Sequence, residues 1–250
     1  MLHKFFKTIG PIAAMAAGAA MAGCSNMSFE AGSDGVPLAE FDMSGEAPSR
    51  FTLAGPDRVI LTSGDTLDID VSGDSRAVDL LRFERDGDNL TVARAKSSGD
   101  NGTAVVRVTM PAPREVTLAG SGEIEAGELT EEVQLSIAGS GTIRAPRVDA
   151  RKLDVNIAGS GTLEAAGRTD SLDLNIAGSG DARMGSLTVQ TADINIMGSG
   201  DARFASDGEV DANIMGSGDV TVVGRARCKV KAMGSGTVTC EAGTETRTER

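Results

Sequence analysis

Short runs of alternating apolar and polar residues fill the second half of this 250-residue chain, and each run leads into the tripeptide Gly-Ser-Gly. One run is Leu153–Ala158, which reads LDVNIA. Alternation with a period of two is typical of a β-strand with one buried face. The apolar positions of five such runs predict the core: Val133, Leu135, Ile137, Leu153, Val155, Ile157, Leu172, Leu174, Ile176, Ala192, Ile194, Ile196, Val210, Ala212 and Ile214.

The Gly-Ser-Gly tripeptides recur seven times, at steps of 18 to 20 residues. They occupy residues 120–122, 139–141, 159–161, 178–180, 198–200, 216–218 and 234–236. A repeat of this length is typical of a stacked architecture, since one repeat alone cannot bury its apolar face. We therefore predict an all-β fold, a parallel β-helix (β-solenoid) of about 19-residue rungs over residues 119–240. The glycines are expected at corners that need a positive φ or a close backbone approach.

Residues 50–118 lack this glycine period and predict either an irregular N-terminal β-cap or irregular first rungs. Strand candidates lie at 51–53, 58–61, 66–71, 89–93 and 104–110, and a short helix is expected near Arg76–Phe83. The preceding segment, 24–49, has little periodicity and is interpreted as a flexible tether. The polar segment 241–250 is expected to be a disordered tail.

The first 23 residues have the pattern of an export signal, with Lys4 and Lys7 ahead of a short apolar run. The run ends in Met21-Ala22-Gly23-Cys24, which resembles the lipobox of bacterial lipoproteins. That resemblance implies a lipidated Cys24 at the mature N-terminus, and Ser25 after it points to the outer membrane. The alternative is ordinary signal cleavage after Ala22, which would release a soluble secreted protein with an unexplained thiol at Cys24.

Composition removes several function classes. The chain has no Trp or Tyr, and its one histidine, His3, lies in the predicted signal. A mature chain without His has no imidazole for a general base, a catalytic triad or a common zinc site. Loss of Lys4 and Lys7 from 24 basic residues leaves 22, against 36 acidic ones, so the mature net charge is −14. Nucleic acid is therefore not an expected partner.

The last rung carries its own signals. Arg225, Arg227, Lys229 and Lys231 alternate with small or apolar residues, and cations on a terminal strand oppose edge-to-edge association. Cys228 and Cys240 fall on core-facing positions of this rung, on either side of its glycine turn. We predict a disulfide between them; two buried free thiols are the alternative.

Polar residues recur on the outward side of the strands. Asn156, Asn175, Asn195 and Asn213 share one position of successive rungs, where stacked amides can bond to one another. Two rows of carboxylates accompany them: Asp154, Asp173, Asp193 and Asp211 in one, and Asp181, Asp201 and Asp219 in the other. These rows are candidate ligands for Ca²⁺, or equally a solvated acidic face. Apart from this calcium hypothesis, no cofactor is expected.

The repeated Ile-Ala-Gly-Ser-Gly and Ile-Met-Gly-Ser-Gly turns resemble those of a bacterial family described as putative auto-transporter adhesin, head GIN domain. The segment Val106–Pro111, leading into Val116–Gly122, carries the same resemblance, which covers roughly residues 50–240. It implies a β-solenoid fold, export and a lipoprotein signal, and it supplies no catalytic residues.

Three functions are then open. The first, which we favour, is a non-enzymatic cell-envelope lipoprotein, held at the membrane by its lipid, whose solenoid binds an unknown protein or glycan, in adhesion or as a scaffold. It would face the periplasm or the cell surface. The second is a carbohydrate-active enzyme of the pectin-lyase type, which the missing aromatic platforms disfavour. The third is a calcium-responsive envelope module that uses the Asp rows.

Overall fold

The computed structural model describes residues 35–99, 101–240 and 247–248. Seventeen strands in these residues form one sheet, which winds around a single core. In chain order they are β1 (Arg50–Ala54), β2 (Arg58–Ser63), β3 (Asp68–Gly73), β4 (Leu81–Asp86), β5 (Asn89–Arg94), β6 (Ala104–Met110), β7 (Glu115–Gly120), β8 (Glu123–Ala126), β9 (Glu128–Gly139), β10 (Thr142–Gly159), β11 (Thr162–Gly178), β12 (Asp181–Gly198), β13 (Ala202–Gly216), β14 (Val220–Val223), β15 (Arg227–Gly234), β16 (Val238–Cys240) and β17 (Arg247–Thr248).

The predicted parallel β-solenoid is confirmed. From β7 onward every strand pairs in parallel with the strand one rung away, and the register matches equivalent residues: Leu153 pairs with Leu172, and Gly159 with Gly178. The long strands β10 to β13 continue through the corners of a rung, and small register shifts mark those corners. The alternation of buried apolar and outward polar residues is also confirmed, because all fifteen apolar positions predicted for the core are buried.

The glycine turns satisfy both requirements expected of them. The first glycine of each of the seven turns has a positive φ, between 117° and 137°. At Gly198, for example, an added Cβ would lie 2.1 Å from the carbonyl oxygen of Gly178 in the preceding rung. The turns therefore stack backbone against backbone, and neither the torsion angle nor the spacing admits a side chain.

Residues 50–110 form both a rung and a cap. β1 and β2 pair in parallel with β7 and β8 on one side, and with β5 and β6 on the other. β5 and β6 therefore stack outside a rung that precedes them in the chain. β3 and β4 then close this end, because they pair antiparallel with β6 and β5.

The helix of the cap is shorter than the sequence predicts. Helix α1 spans Ser75–Asp79, and the Asp74 side chain caps it by accepting the Arg76 N–H at 2.9 Å. The second half of the predicted helix is instead strand β4, in which Leu81 and Phe83 are buried. The alternation of Leu81 and Phe83 with charged residues fits an amphipathic strand better than a helix.

The tether interpretation is wrong for residues 35–49. Val36 exchanges two backbone hydrogen bonds with Phe83 of β4, and a 3-10 helix follows at Leu38–Glu40. The Phe41 ring lies 5.9 Å from the Phe83 ring, centroid to centroid. This segment covers the outer edge of β4, because an open edge strand would otherwise expose unpaired backbone groups. Of the predicted tail, the structure describes only β17, which pairs with β15.

A buried ion pair fixes the turn of the first rung. Gly55-Pro56-Asp57 stands where later rungs have Gly-Ser-Gly, and the Asp57 side chain is fully buried. Its carboxylate accepts the Ala104 N–H at 2.8 Å and the Arg94 Nε–H at 2.9 Å, while Arg94 also donates to the Gly102 carbonyl at 2.9 Å. The pair joins the start of β2 to β5 and β6, and no repeating pattern in the sequence predicts it.

Candidate binding surface

One broad outward surface of the solenoid is built from the strand positions that precede the glycine turns. The register of β9 to β13 and β15 places these positions in four columns, and neighbouring residues of a column are one strand spacing, about 4.8 Å, apart. We call this surface the ladder face. Its first column is Glu132, Lys152, Ser171, Thr191, Glu209 and Arg227; the acidic column is Gln134, Asp154, Asp173, Asp193, Asp211 and Lys229; the Asn column is Ser136, Asn156, Asn175, Asn195, Asn213 and Lys231; and the last column is Ala138, Ala158, Ala177, Met197, Met215 and Met233.

Amide hydrogen bonds run along the Asn column, as its spacing predicts. Asn175, Asn195 and Asn213 each donate from Nδ2 to the Oδ1 of the Asn one rung before, at 3.4, 3.3 and 3.2 Å. Asn175 and Asn195 also donate to the carboxylate of the Asp on their own strand, at 2.9 and 3.1 Å. The Asn and acidic columns therefore form one network, which holds its side chains in fixed positions.

Two lysines flank the acidic column. Lys152 donates to Asp154 at 3.0 Å, and this bond, with the nearby carboxylates, raises the pKa of Lys152. Lys229 donates to Glu209 and lies 3.9 Å from Asp211. The bond between Lys229 and Glu209 raises the pKa of the lysine and lowers that of the Glu. The two ends of the column are thus charge-compensated.

The second acidic row bonds to the backbone of the solenoid. Asp201 accepts the Asp219 N–H at 2.8 Å, and Asp219 accepts the Thr237 N–H at 2.9 Å and its hydroxyl at 2.6 Å. These bonds from Thr237 lower the pKa of Asp219. Asp181 accepts from Arg183 of its own strand at 2.9 Å. Asp201 and Asp219 therefore link successive rungs just after their turns, which is a structural role.

Neither acidic row gathers its carboxylates at one point. Within the part of the chain that the structure describes, no group of three or more His, Cys, Asp or Glu side chains could hold a metal ion. The seven Asp residues named as candidate ligands instead follow straight columns. Calcium binding stays a prediction without support from this geometry.

The last column holds candidate binding residues that were not predicted from the sequence. Met197, Met215 and Met233 are 54%, 48% and 68% exposed, and they follow one another on β12, β13 and β15. Earlier rungs have Ala at this position. The change from Ile-Ala-Gly-Ser-Gly to Ile-Met-Gly-Ser-Gly was visible in the sequence, and the strict alternation already placed this residue outside the core.

Cys228 and Cys240 are joined by a disulfide, and their Cα atoms lie 6.7 Å apart. Cys228 is buried, and the bridge links β15 to β16 across the last glycine turn. All four cations of this rung are exposed, as expected. The predicted signal peptide, 1–23, and the lipidation candidate Cys24 lie outside the described residues. No helix among the described residues is both long and apolar enough to cross a membrane.

The sequence profile of the family described as "Putative auto-transporter adhesin, head GIN domain" matches residues 47–226. The chain belongs to this head GIN family. Its match covers the cap and nearly all of the repeat region, so the family and the predicted resemblance agree. No curated protein matches the sequence significantly.

Solved structures share the head GIN fold at low sequence identity. A "putative lipid binding protein" from Parabacteroides distasonis is 22% identical over 78% of this chain and 93% of its own, with a TM-score of 0.62. A "putative adhesin" from the same species is 17% identical over 82% and 93%, with a TM-score of 0.57. Another, from Bacteroides fragilis, is 17% identical over 80% and 91%, with a TM-score of 0.53. At these identities the likeness establishes the fold alone.

Proposed function

We propose that this head GIN protein is a non-enzymatic lipoprotein of the bacterial cell envelope, anchored in the outer membrane, whose ladder face binds a partner in adhesion. The observation that carries the proposal is the ladder face itself. Its Asn and Asp side chains are held by one another, so a partner would meet a surface that needs little ordering. Three exposed Met side chains beside them add apolar area, which is typical of interaction surfaces.

The family and its neighbours favour binding over catalysis. The family description and two of the structural neighbours refer to adhesins, and a third refers to lipid binding. The polar side chains of the ladder face are hydrogen-bonded in columns, and the depression of about 240 Å³ beside Asp173, Asp193 and Asp211 is shallow and open to solvent, unlike a cleft that would shield a reacting substrate. His3, the one histidine in the sequence, belongs to the predicted signal.

Lipid anchoring is the second element of the proposal and rests on the Met21–Cys24 pattern. From Cys24 to the first described residue, Gly35, the chain can span at most about 35–40 Å. The anchor would therefore hold the capped end close to the membrane, because Val36 is bonded to β4 of the cap.

The proposal is tested on intact cells that express the full-length protein with an epitope tag. We expect added protease to degrade the tag without lysis, while a known periplasmic protein stays intact. We expect the wild-type protein in the membrane fraction, and Cys24→Ser in the soluble fraction. Protection of the tag until lysis would contradict surface adhesion, and membrane retention of Cys24→Ser would contradict the lipid anchor.

A further inference from the structure

The three methionines in the last column of the ladder face form the main exposed apolar strip among the described residues. Four large hydrophobic side chains are exposed in the part of the chain that the structure describes. Three of them, Met197, Met215 and Met233, are neighbours one rung apart. The fourth, Met43, lies before β1. Exposed Met side chains in one contiguous strip are typical of a surface that is covered in an assembly, since Met adapts its shape to a partner.

Charge on the ladder face is divided along the solenoid axis. Four successive rungs place Asp in the acidic column, and the last rung replaces it with Lys229. The same last strand adds Arg227 and Lys231 to the neighbouring columns. Residues 220–240 contain four of the 24 basic residues of the chain and none of its 36 acidic ones. The face is therefore acidic over its middle rungs and basic at its end.

We propose that the partner of the ladder face is a second copy of this chain, bound face to face with the rungs in reverse order. This inference rests on the proposed function, and it names the partner. A two-fold axis parallel to the strands makes each column face itself in inverted order, so Met packs on Met and the basic rung lies over acidic rungs. A two-fold axis along the solenoid would instead stack the basic rung on itself, which like charges oppose.

The best match places the axis at the rung of Asp211 and Met215. Met215 then meets Met215 of the second copy, and Met197 meets Met233, so all three exposed methionines are covered. Lys229 faces Asp193 of the other copy, and Lys231 faces Asn195. Glu209 and Asp211 each meet their own mate. Lys229 of the same chain, which donates to Glu209 and lies 3.9 Å from Asp211, offsets these carboxylates.

The area of this contact fits a modest dimer. The rungs that face each other about this axis are those of β12, β13 and β15. Three strands at about 4.8 Å and eight residues at about 3.3 Å give a flat patch of roughly 400 Å² on each copy. Stable interfaces bury about 800 Å² per partner, so the contact belongs to the weaker class. We expect a dissociation constant on the order of 10 µM.

Self-association is tested by sedimentation of the purified full-length protein in mild detergent. The protein concentration is varied from about 1 to 200 µM. We expect a shift from the mass of one mature chain to that of two. Met215→Ser should weaken the dimer at least about tenfold through lost apolar contact. Met43→Ser is the matched control and should leave the constant unchanged. A monomer at every concentration would overturn the proposal, whether or not the protein is found at the cell surface.

A charge swap tests the reversed order of the rungs. Lys229→Asp should weaken the dimer at least about tenfold, because it places like charges opposite Asp193. Adding Asp193→Lys should restore the affinity to within about threefold, since both intermolecular Lys229–Asp193 pairs are then reversed together. Arg168→Asp breaks the exposed ion pair with Asp149 outside the ladder face, and serves as the control for lost surface charge. A double variant as weak as the single one would reject this arrangement.

Cross-linking then fixes the axis. Met215→Cys brings two thiols together at the two-fold, and mild oxidation of the full-length protein should give a dimer on non-reducing gels. Met43→Cys should give none. Equal cross-linking at both positions would mean random collision and would overturn the geometry.

Discussion

The two ends of the solenoid are closed in different ways. At the N-terminal end the chain folds back, so that β3 and β4 pair antiparallel on the stack and the segment 35–49 covers β4. At the C-terminal end no strand folds back among the described residues: the short strand β17 continues the parallel stack on β15, and a disulfide and a row of cations mark the rung of β15 and β16. The first solution uses about sixty residues of non-repeating sequence, whereas the second uses single substitutions within an ordinary repeat.

The difference shows what an end requires. A rung in the middle has neighbours on both sides, and an end rung must satisfy its outer backbone groups and cover its part of the core by other means. The N-terminal end does so with hydrogen bonds and packing, and Leu81 and Phe83 are buried there. The C-terminal end leaves Val238 and Cys240 half-buried, and restrains them covalently.

The largest effect is expected from breaking the N-terminal end at Asp57. Asp57→Ala leaves the Arg94 guanidinium, whose side chain is 11% exposed, without its buried carboxylate. Removing one partner of a buried pair costs about 3–5 kcal/mol of unfolding free energy. Urea unfolding measures the loss, and hydrogen exchange should localise it to β2, β5 and β6.

Asp149→Ala is the control, because it removes a carboxylate whose partner, Arg168, is exposed. Its unfolding midpoint should stay close to that of the wild type. If Asp57→Ala unfolded at the wild-type urea concentration, the ion pair would not be holding the cap together.

A smaller and more local effect is expected at the C-terminal end. The double substitution Cys228→Ser and Cys240→Ser opens a loop of 12 residues, which should cost about 3 kcal/mol. Because each rung contacts only its neighbours, the loss of exchange protection should be confined to β14–β16 and leave the cap unchanged. Mass analysis of the alkylated wild-type protein before and after reduction verifies the disulfide. A uniform loss of exchange protection in every rung would contradict the expectation that a rung is stabilised only by its neighbours.

The smallest effect is a response of the last rung to acid. The bonds from Thr237 lower the pKa of Asp219 in the folded state. The Asp219 carboxylate therefore stabilises the folded state at pH values above its unfolded pKa of about 3.9. That contribution is lost as the pH falls through the lower pKa of the folded state. Hydrogen exchange at the Thr237 N–H, corrected for its intrinsic rate, should accelerate as the pH falls below about 3.9. Asp219→Asn keeps an acceptor oxygen without a titration, so acceleration that persists in this variant would rule Asp219 out as its cause.

Prediction from the sequence succeeded where contacts repeat. The alternation around Val155 and Ile157, together with the glycine period, determined which side chains are buried, which residues pair and where the Asn column lies. Each of these depends on a local pattern that every rung copies, so the copies reinforce one another. The N-terminal end offers no such copies. The placement of β5 outside β1, and the Arg94–Asp57 pair that depends on it, arise from contacts between segments with unrelated sequences.

The candidate surface was predicted in part for the same reason. The Asp and Asn columns follow from the repeat, whereas the importance of Met197, Met215 and Met233 depends on what lies beside them. An outward residue between a polar column and a glycine turn can be either covered or open. The sequence identified the position, and the exposure of its side chain required the fold.

The identity of successive turns has a consequence for how such a protein can change its length. The interface between β10 and β11 repeats almost residue for residue between β11 and β12, down to the glycine backbone contacts and the Asn bonds. A duplicated stretch of about 19 residues would thus enter the column without creating a new kind of contact, and would move the two ends about 4.8 Å farther apart. Gene duplication or deletion can therefore adjust the height of the molecule in single-rung steps while both of its terminal structures stay unaltered.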